Sequence, residues 1–158
     1  MKKEKNSTQK IIGVYQTASG VIGTLLIIYA VIISSSLLDI KLIFAALFGL
    51  FFYMLNIVAG VFLFNNEDRG YKLSILSQTL QTISFTTSTF KYIICSGSFL
   101  GIGLLEKEFS VKLEIFYVEY MIAYSTNMTS YIYINIISSG LLFIIIVNFR
   151  GKNRMLLK

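Results

Sequence analysis

Residues 42–64, LIFAALFGLFFYMLNIVAGVFLF, run for 23 positions without a charge. A helix of that length, at ~1.5 Å per residue, reaches across a ~30 Å hydrocarbon core. The next eight residues, Asn65-Asn66-Glu67-Asp68-Arg69-Gly70-Tyr71-Lys72, are polar and turn the chain back. Residues 42–64 and 72–91 are therefore expected to form an antiparallel membrane hairpin against which outer spans pack.

Composition agrees with a small multi-pass protein. The 158 residues are 55% hydrophobic and 14% charged, with a mean hydropathy of +0.72, too apolar for an ordinary water-soluble domain. The net charge of +6 lies at the ends of apolar runs and not on one amphipathic face, which points to membrane topology and away from nucleic acid. Histidine is absent and Cys95 is the one cysteine. An internal disulfide and histidine or multi-thiolate metal sites are thereby excluded, and no metal or cofactor is expected.

Residues 1–10 read as a basic cytoplasmic tail. Residues 11–38 are uncharged over 28 positions, longer than a signal-peptide core, and are expected to stay as an anchor, with the first span over about 11–36. In it Gly13, Thr17, Gly20 and Thr24 place small side chains on one helical face. Ser34, Ser35, Ser36, Asp39 and Lys41 form an expected outer turn. In the second span Ala45, Gly49, Asn56 and Gly60 share roughly one face, so Gly13, Gly20, Gly49 and Gly60 are the expected packing glycines. The Asn56 amide requires a polar partner in the bundle. Counting equal distances from Asp68 brings Asn56 opposite residue 80, beside Gln78 and Gln81, and predicts an Asn56–Gln81 hydrogen bond.

The third span, 72–91, is rich in hydroxyls and amides. Ser77, Gln81, Ser84 and Ser88 fall on one helical side and Leu73, Leu76, Leu80 and Ile83 on another. The polar side either lines water or bonds to backbone carbonyls within the bundle. Lys91 is placed near the outer interface, where it can snorkel. Residues 92–105, with Gly97, Gly101 and Gly103, are less suited to a continuous helix than to a re-entrant piece or a buried strand. Cys95 in this stretch reads as a small buried hydrophobe. From Glu106 onward Phe109, Val111, Leu113 and Ile115 alternate with Ser110, Lys112 and Glu114, the period of a half-buried strand, and the phase slips after Ile115 as a bulge would cause. Glu106, Glu108, Glu114 and Glu119 are read as solvated strand-edge carboxylates, since nothing positions a nucleophile among them. A polar turn at 125–130 leads to a fourth span at 131–149, with Tyr131 and Tyr133 in an outer aromatic belt. Asn135 and Ser139, a helical turn apart, are expected to bond within the bundle, and 150–158 is a second basic tail.

The expected fold is thus mainly α: a four-transmembrane-helix bundle over 11–149 with a small β-rich extracytoplasmic insertion at about 92–130, between helices 3 and 4. With both tails and the 65–72 turn inside, ten basic residues lie inside and four outside. That asymmetry predicts a bacterial inner-membrane protein with both termini cytoplasmic.

Four pieces, Ala59-Gly60-Val61-Phe62-Leu63-Phe64, Gly70-Tyr71-Lys72-Leu73-Ser74, Gln78 with Gln81, and Tyr131-Ile132-Tyr133-Ile134-Asn135, resemble a pattern in small uncharacterised four-span bacterial membrane proteins. The resemblance covers the two inner spans and the start of the last. It implies a shared bundle with an external insertion before the last span, and no activity, cofactor or site.

No phosphate loop, catalytic triad or metal spacing occurs, and no histidine, aspartate or glutamate lies inside the expected spans, so an enzyme is disfavoured. The expected function is a non-enzymatic accessory subunit of a membrane assembly, of interaction, immunity or sensing type. Its expected partners are the lipid bilayer and either a second copy or another membrane protein. The alternative is a homo-oligomeric pore lined by Ser77, Gln81, Ser84 and Ser88, a membrane-permeabilising defence effector being one form of it.

Overall fold

The computed structural model describes residues 7–33, 40–124 and 129–156, apart from the side chains at 41, 42, 45, 115–124 and 153–156. Several expectations lie outside these residues: the charges of Lys2, Lys3, Glu4, Lys5 and Lys158, the outer turn at Ser34, Ser35, Ser36 and Asp39, most of the 125–130 turn, and the side chains of Ala45 and Glu119. The elements in order are α1 (Ser7–Ile33), α2 (Ile40–Phe64), α3 (Asp68–Thr82), β1 (Ile83–Thr86), β2 (Phe90–Leu105), β3 (Glu108–Tyr124), β4 (Tyr131–Asn135) and α4 (Ile136–Leu156). The chain divides into two compact units, Met1–Leu73 and Ser74–Lys158.

The first unit is a helical hairpin. Among the described residues two helices are long and apolar enough to cross a membrane, Ser7–Ile33 and Ala46–Phe64, a test that the core helix of a soluble protein or a signal sequence also passes. They run antiparallel: Gly13 meets Gly60 and Phe64, while Gly20, further along α1, meets Tyr53 and Ile57, further back along α2. Side-chain polarity in α1 is the reverse of that in a water-soluble helix. Gln9, Gln16 and Ser19 are buried, whereas Ile11, Val14, Leu25, Tyr29 and Ile32 are exposed. Thr17 and Thr24 donate to the carbonyls of Gly13 and Gly20 at 2.8 and 2.9 Å, so their hydroxyls place no unmet polar atom in an apolar medium.

The turn after α2 is built by a left-handed residue. Asn66 has φ 59°, its amide donates to Leu63 O, and the Glu67 amide donates to Phe62 O. This is the paired bonding of a Schellman cap, in which asparagine is a common substitute for glycine. Gly70 then lets the returning chain lie against the backbone of Phe62 and Leu63, where a Cβ would collide.

The second unit overturns the four-span bundle. The third expected span stops being helical at Thr82, and its remainder, Ile83-Ser84-Phe85-Thr86, is strand β1. The fourth begins as strand β4, leaving an apolar helical run of 14 residues, 136–149, or ~21 Å, short of a ~30 Å core. The cause is local: both stretches are dense in β-branched and aromatic residues, which fit a pleated sheet better than a helix. They pair with each other, Ile83 opposite Ile134 through Thr86 opposite Tyr131. The β-rich part is accordingly larger than the expected insertion, reaching from Ile83 to Asn135. Residues 92–105, which the sequence left open, are strand throughout.

The sheet has the order β1-β4-β2-β3, with every pairing antiparallel and a further pairing of β1 with the start of β2. β4 pairs with β1 on one side and with the far end of β2, Gly101 to Leu105, on the other. Strands β1, β2 and β4 therefore close a ring, which β2 completes by bending between its two halves. Two features permit that bend. Gly97 has φ 113°, and between Gly97 and Phe99 the β3 partner changes from Tyr117 to Glu114. β3 thus carries one extra residue, at the place where its apolar phase slips in sequence. Gly103 lies against the Ile132 carbonyl, so near that any Cβ would strike it.

Candidate functional site

The alternation within this ring decides what it can do. Pairings of Phe99 with Glu114, Gly101 with Lys112, Gly103 with Ser110 and Tyr133, and Ser84 with Tyr133 put these residues on one face of the sheet, the inside of the ring. The base of the inside is an apolar cluster of Cys95, Phe99 and Tyr133, with Tyr131 packed against it. Above it is a cavity of about 370 Å³ lined by Ser84, Lys91, Ile93, Phe99, Leu105, Lys112, Thr129, Tyr131 and Tyr133. Lys112 and Glu114 form a part-exposed ion pair at 2.8 Å. The Tyr133 hydroxyl donates to Ser110 Oγ at 3.0 Å, and its ring meets Phe99 edge to face with centroids 6.3 Å apart.

The other face carries Ile83, Ile102, Leu104, Phe109, Val111, Leu113, Ile132 and Ile134, all exposed. Ile102 pairs with both Val111 and Ile134, and Leu104 with both Phe109 and Ile132, so the patch runs without interruption across the sheet. Exposed Leu113, at 64%, and Phe109, at 73%, are its most accessible members in β3.

The residues expected to make intramembrane polar contacts are all buried. Asn56 is fully buried in the first unit. Gln81 serves the second: its Nε2 donates to Ser77 O and Oγ at 3.4 and 3.2 Å, and its Oε1 accepts from the Ser96 amide at 2.9 Å. The amide thus ties the end of α3 to β2. Asn56 and Gln81 belong to different units, and their pairing stays an expectation. Gln78 accepts the Thr82 hydroxyl on its carbonyl at 2.8 Å, while its buried Oε1 has no hydrogen-bond partner among the described residues.

Asn135 has a role that the sequence reading missed. Its Oδ1 accepts from the amides of Ile137 and Ser138 at 3.1 and 3.4 Å, and its Nδ2 donates to Ser138 Oγ at 3.0 Å and to Cys95 Sγ at 3.9 Å. It caps the N-terminus of α4. Ser139 bonds Asn135 through the backbone carbonyl, at 2.8 Å. The signal was available, an asparagine immediately before a helical apolar run, but a span drawn through 131–149 hid it.

The expected pore-lining set is dispersed. Ser77 and Gln81 lie on α3, Ser84 on β1 and Ser88 in the turn after it, so the four do not share a helical face. Among the packing glycines, a Cβ on Gly13, Gly20 or Gly60 would meet backbone of the opposite helix, and Gly49 is buried. Cys95 is buried and carries no disulfide. Of the expected carboxylates, Glu106 is in the β2–β3 turn, Glu108 sits opposite Leu105, and Glu114 faces Lys112. Among the described residues no three His, Cys, Asp or Glu side chains gather as metal ligands would.

Lys91, Lys112, Tyr131 and Tyr133 were the residues to find. Their strand spacing, alternate positions facing one way, was legible in Tyr131 and Tyr133 once 131–135 is read as strand. Burial raises the Tyr92 phenol above its usual value, and its hydroxyl donates to Leu80 O at 2.9 Å. Compared with protein families, curated proteins and solved structures, the chain matches none.

Proposed function

We propose that the protein is a non-enzymatic membrane protein, an accessory subunit that the α1–α2 hairpin anchors and whose β unit engages another membrane protein. One observation carries this reading: the apolar outer face of the ring, continuous over β1 to β4, is exposed. An apolar patch of this extent marks an interaction surface. Anchoring is supported by the inverted polarity of α1. Lys10 near the start of α1 and Arg69 and Lys72 beyond the end of α2 fall at the same end of the antiparallel hairpin, which favours a bacterial inner membrane with that end inside. With two crossings, the chain after Lys72 and the C-terminal tail stay on that cytoplasmic side.

Native mass spectrometry of the protein extracted in native nanodiscs tests the reading. The expected result is a stoichiometric second protein, lost when Phe109→Ser and Leu113→Ser are combined, with membrane retention unchanged. A mass at one copy, or at an integer multiple of 17.9 kDa, would overturn it, the latter assigning the face to self-association.

A further inference from the structure

Strand β3 ends the sheet. On one side it is paired one to one with β2, from Leu105 with Glu108 to Phe99 with Glu114, and on the other side no strand of the sheet follows it among the described residues. We infer that this edge, over Glu108–Glu114, takes up one extended segment of the partner as an added antiparallel strand. The inference rests on the partner reading above for what supplies the strand, and it names how that partner is held.

The chemistry of the edge selects its occupant. A strand with one neighbour turns a row of amides and carbonyls outward along its other side. Over seven residues at ~3.4 Å each the row is ~24 Å long, an ordinary strand length. Phe109, Val111 and Leu113 stand beside it on the outer face of the ring, 73%, 55% and 64% exposed. Water can bond to the row but leaves these side chains wet. Hydrocarbon can cover the side chains but leaves the row without hydrogen bonds, which a membrane does not tolerate. A polypeptide strand answers both, since its backbone pairs with the row while its alternate side chains extend the apolar face.

Natural edges are kept from pairing by proline, by bulges and by inward-pointing charges. The chain has no proline, and the extra residue of β3 falls beyond Glu114, before Tyr117, so the seven-residue stretch is regular. Its inward charges, Lys112 and Glu114, are joined at 2.8 Å, and an incoming strand meets an ion pair instead of a lone charge. The alternation of β3 then sets the sequence it accepts. Apolar β-branched side chains fit opposite Phe109, Val111 and Leu113, and small hydroxyls fit opposite Glu108, Ser110, Lys112 and Glu114.

Amide exchange resolved by residue, on the full chain in nanodiscs, tests the inference with acetyl-Thr-Val-Thr-Ile-Thr-Val-Thr-amide as the probe strand. In the chain alone the amides over 109–114 are expected to alternate, those turned to β2 slow and those turned outward fast. At about ten times its dissociation constant the peptide should slow the outward set about tenfold. The same peptide methylated at every amide nitrogen keeps its side chains, loses its donors and should bind about tenfold more weakly. Uniform protection over 109–114 in the chain alone would overturn the inference, and its loss on dilution would give the edge to a second copy. Equal binding of the two peptides, binding that leaves the outward amides fast, or no saturable binding would each overturn it as well. The chain is unaltered throughout, so each result reports on the native fold. Whether a second protein is present is read from the masses above and whether the edge accepts a strand from these rates, so the two readings fail separately.

Discussion

Alanine at Gly13 and alanine at Gly140 are the same chemical change, and the structure expects them to act in opposite directions. A Cβ built on Gly13 lies 2.7 Å from the Gly60 carbonyl oxygen and 2.8 Å from the Phe64 amide nitrogen, where ordinary contact begins at 3.4 Å. The backbones must therefore part by 3.4 − 2.7 = 0.7 Å. Forcing a methyl into a well-packed seam costs ~1–3 kcal/mol, against the ~0.5–1 kcal/mol by which alanine outranks glycine within a helix. The net for Gly13→Ala is a loss of ~0.5–2 kcal/mol. Nothing lies within 4 Å of a Cβ on Gly140, so there the propensity gain of ~0.5–1 kcal/mol stands alone. Hydrogen exchange in mild detergent reads both, each through the slowest amides of its own helix. Gly13→Ala should speed exchange in α1 and α2 by roughly 2–30-fold, and Gly140→Ala should slow it in α4 by roughly 2–5-fold. Combining Gly13→Ala with Gly60→Ala should cost less than the sum, because one separation relieves both collisions. Slower exchange in α1 after Gly13→Ala, or strict additivity of the pair, would refute the close-packed seam.

Three further outcomes follow from the second unit. Gly103→Ala drives a methyl into the Ile132 carbonyl and should detach β4 from β2, seen as lost exchange protection over Tyr131–Asn135 with the helical hairpin unaffected. Glu106 and Lys107 hold φ of 49° and 76°, the two left-handed positions of a tight hairpin turn, so Glu106→Asn with Lys107→Gly should stabilise the hairpin by ~1 kcal/mol; a lower thermal midpoint would count against this. The Tyr92 phenol is raised by burial. Its contribution to stability is therefore present below the unfolded value near ~10 and is lost as pH rises through the folded one. Tyr92→Phe should flatten the alkaline loss of stability above that value, while costing ~0.5–1.5 kcal/mol at neutral pH through the bond to Leu80 O.

The helix α2 was legible because an uncharged run of 23 residues admits few readings once it exceeds the length of any strand, but its antiparallel partner is α1 and not the expected span 72–91, which leaves the helical state at Thr82. The failure at 72–91 and 131–149 has the same root. Hydropathy counts apolar residues without registering how they are ordered, and a short apolar run does not separate helix from strand. Ile83-Ser84-Phe85-Thr86 and Tyr131-Ile132-Tyr133-Ile134 alternate with a period of two, the signal that did reveal Phe109, Val111 and Leu113. In both stretches the longer uncharged run masks that alternation. The pairing of β4 with both β1 and the end of β2 had no local trace, since ring closure joins residues as far apart as Ile83 and Ile134. The cavity was hidden for the same reason: Lys91, Lys112 and Tyr131 lie in three different strands.

An inside-out sheet also constrains how the β unit holds together. Apolar burial is the main favourable term in folding, yet here the residues that would supply it, Phe109, Val111, Leu113, Ile132 and Ile134, stand on the exposed face, while the ring encloses lysines and hydroxyls over a base of Cys95, Phe99 and Tyr133. Backbone pairing around the closed ring satisfies its amides but contributes little net stability per bond. The unit then gains from whatever occupies it, since a ligand that binds only the folded form adds ~2.7 kcal/mol at a hundred times its dissociation constant. A protein surface bound outside acts on this same folded ring. It should therefore raise the ring's resistance to opening, and maleimide labelling of the buried Cys95 should slow in step with occupancy of that surface.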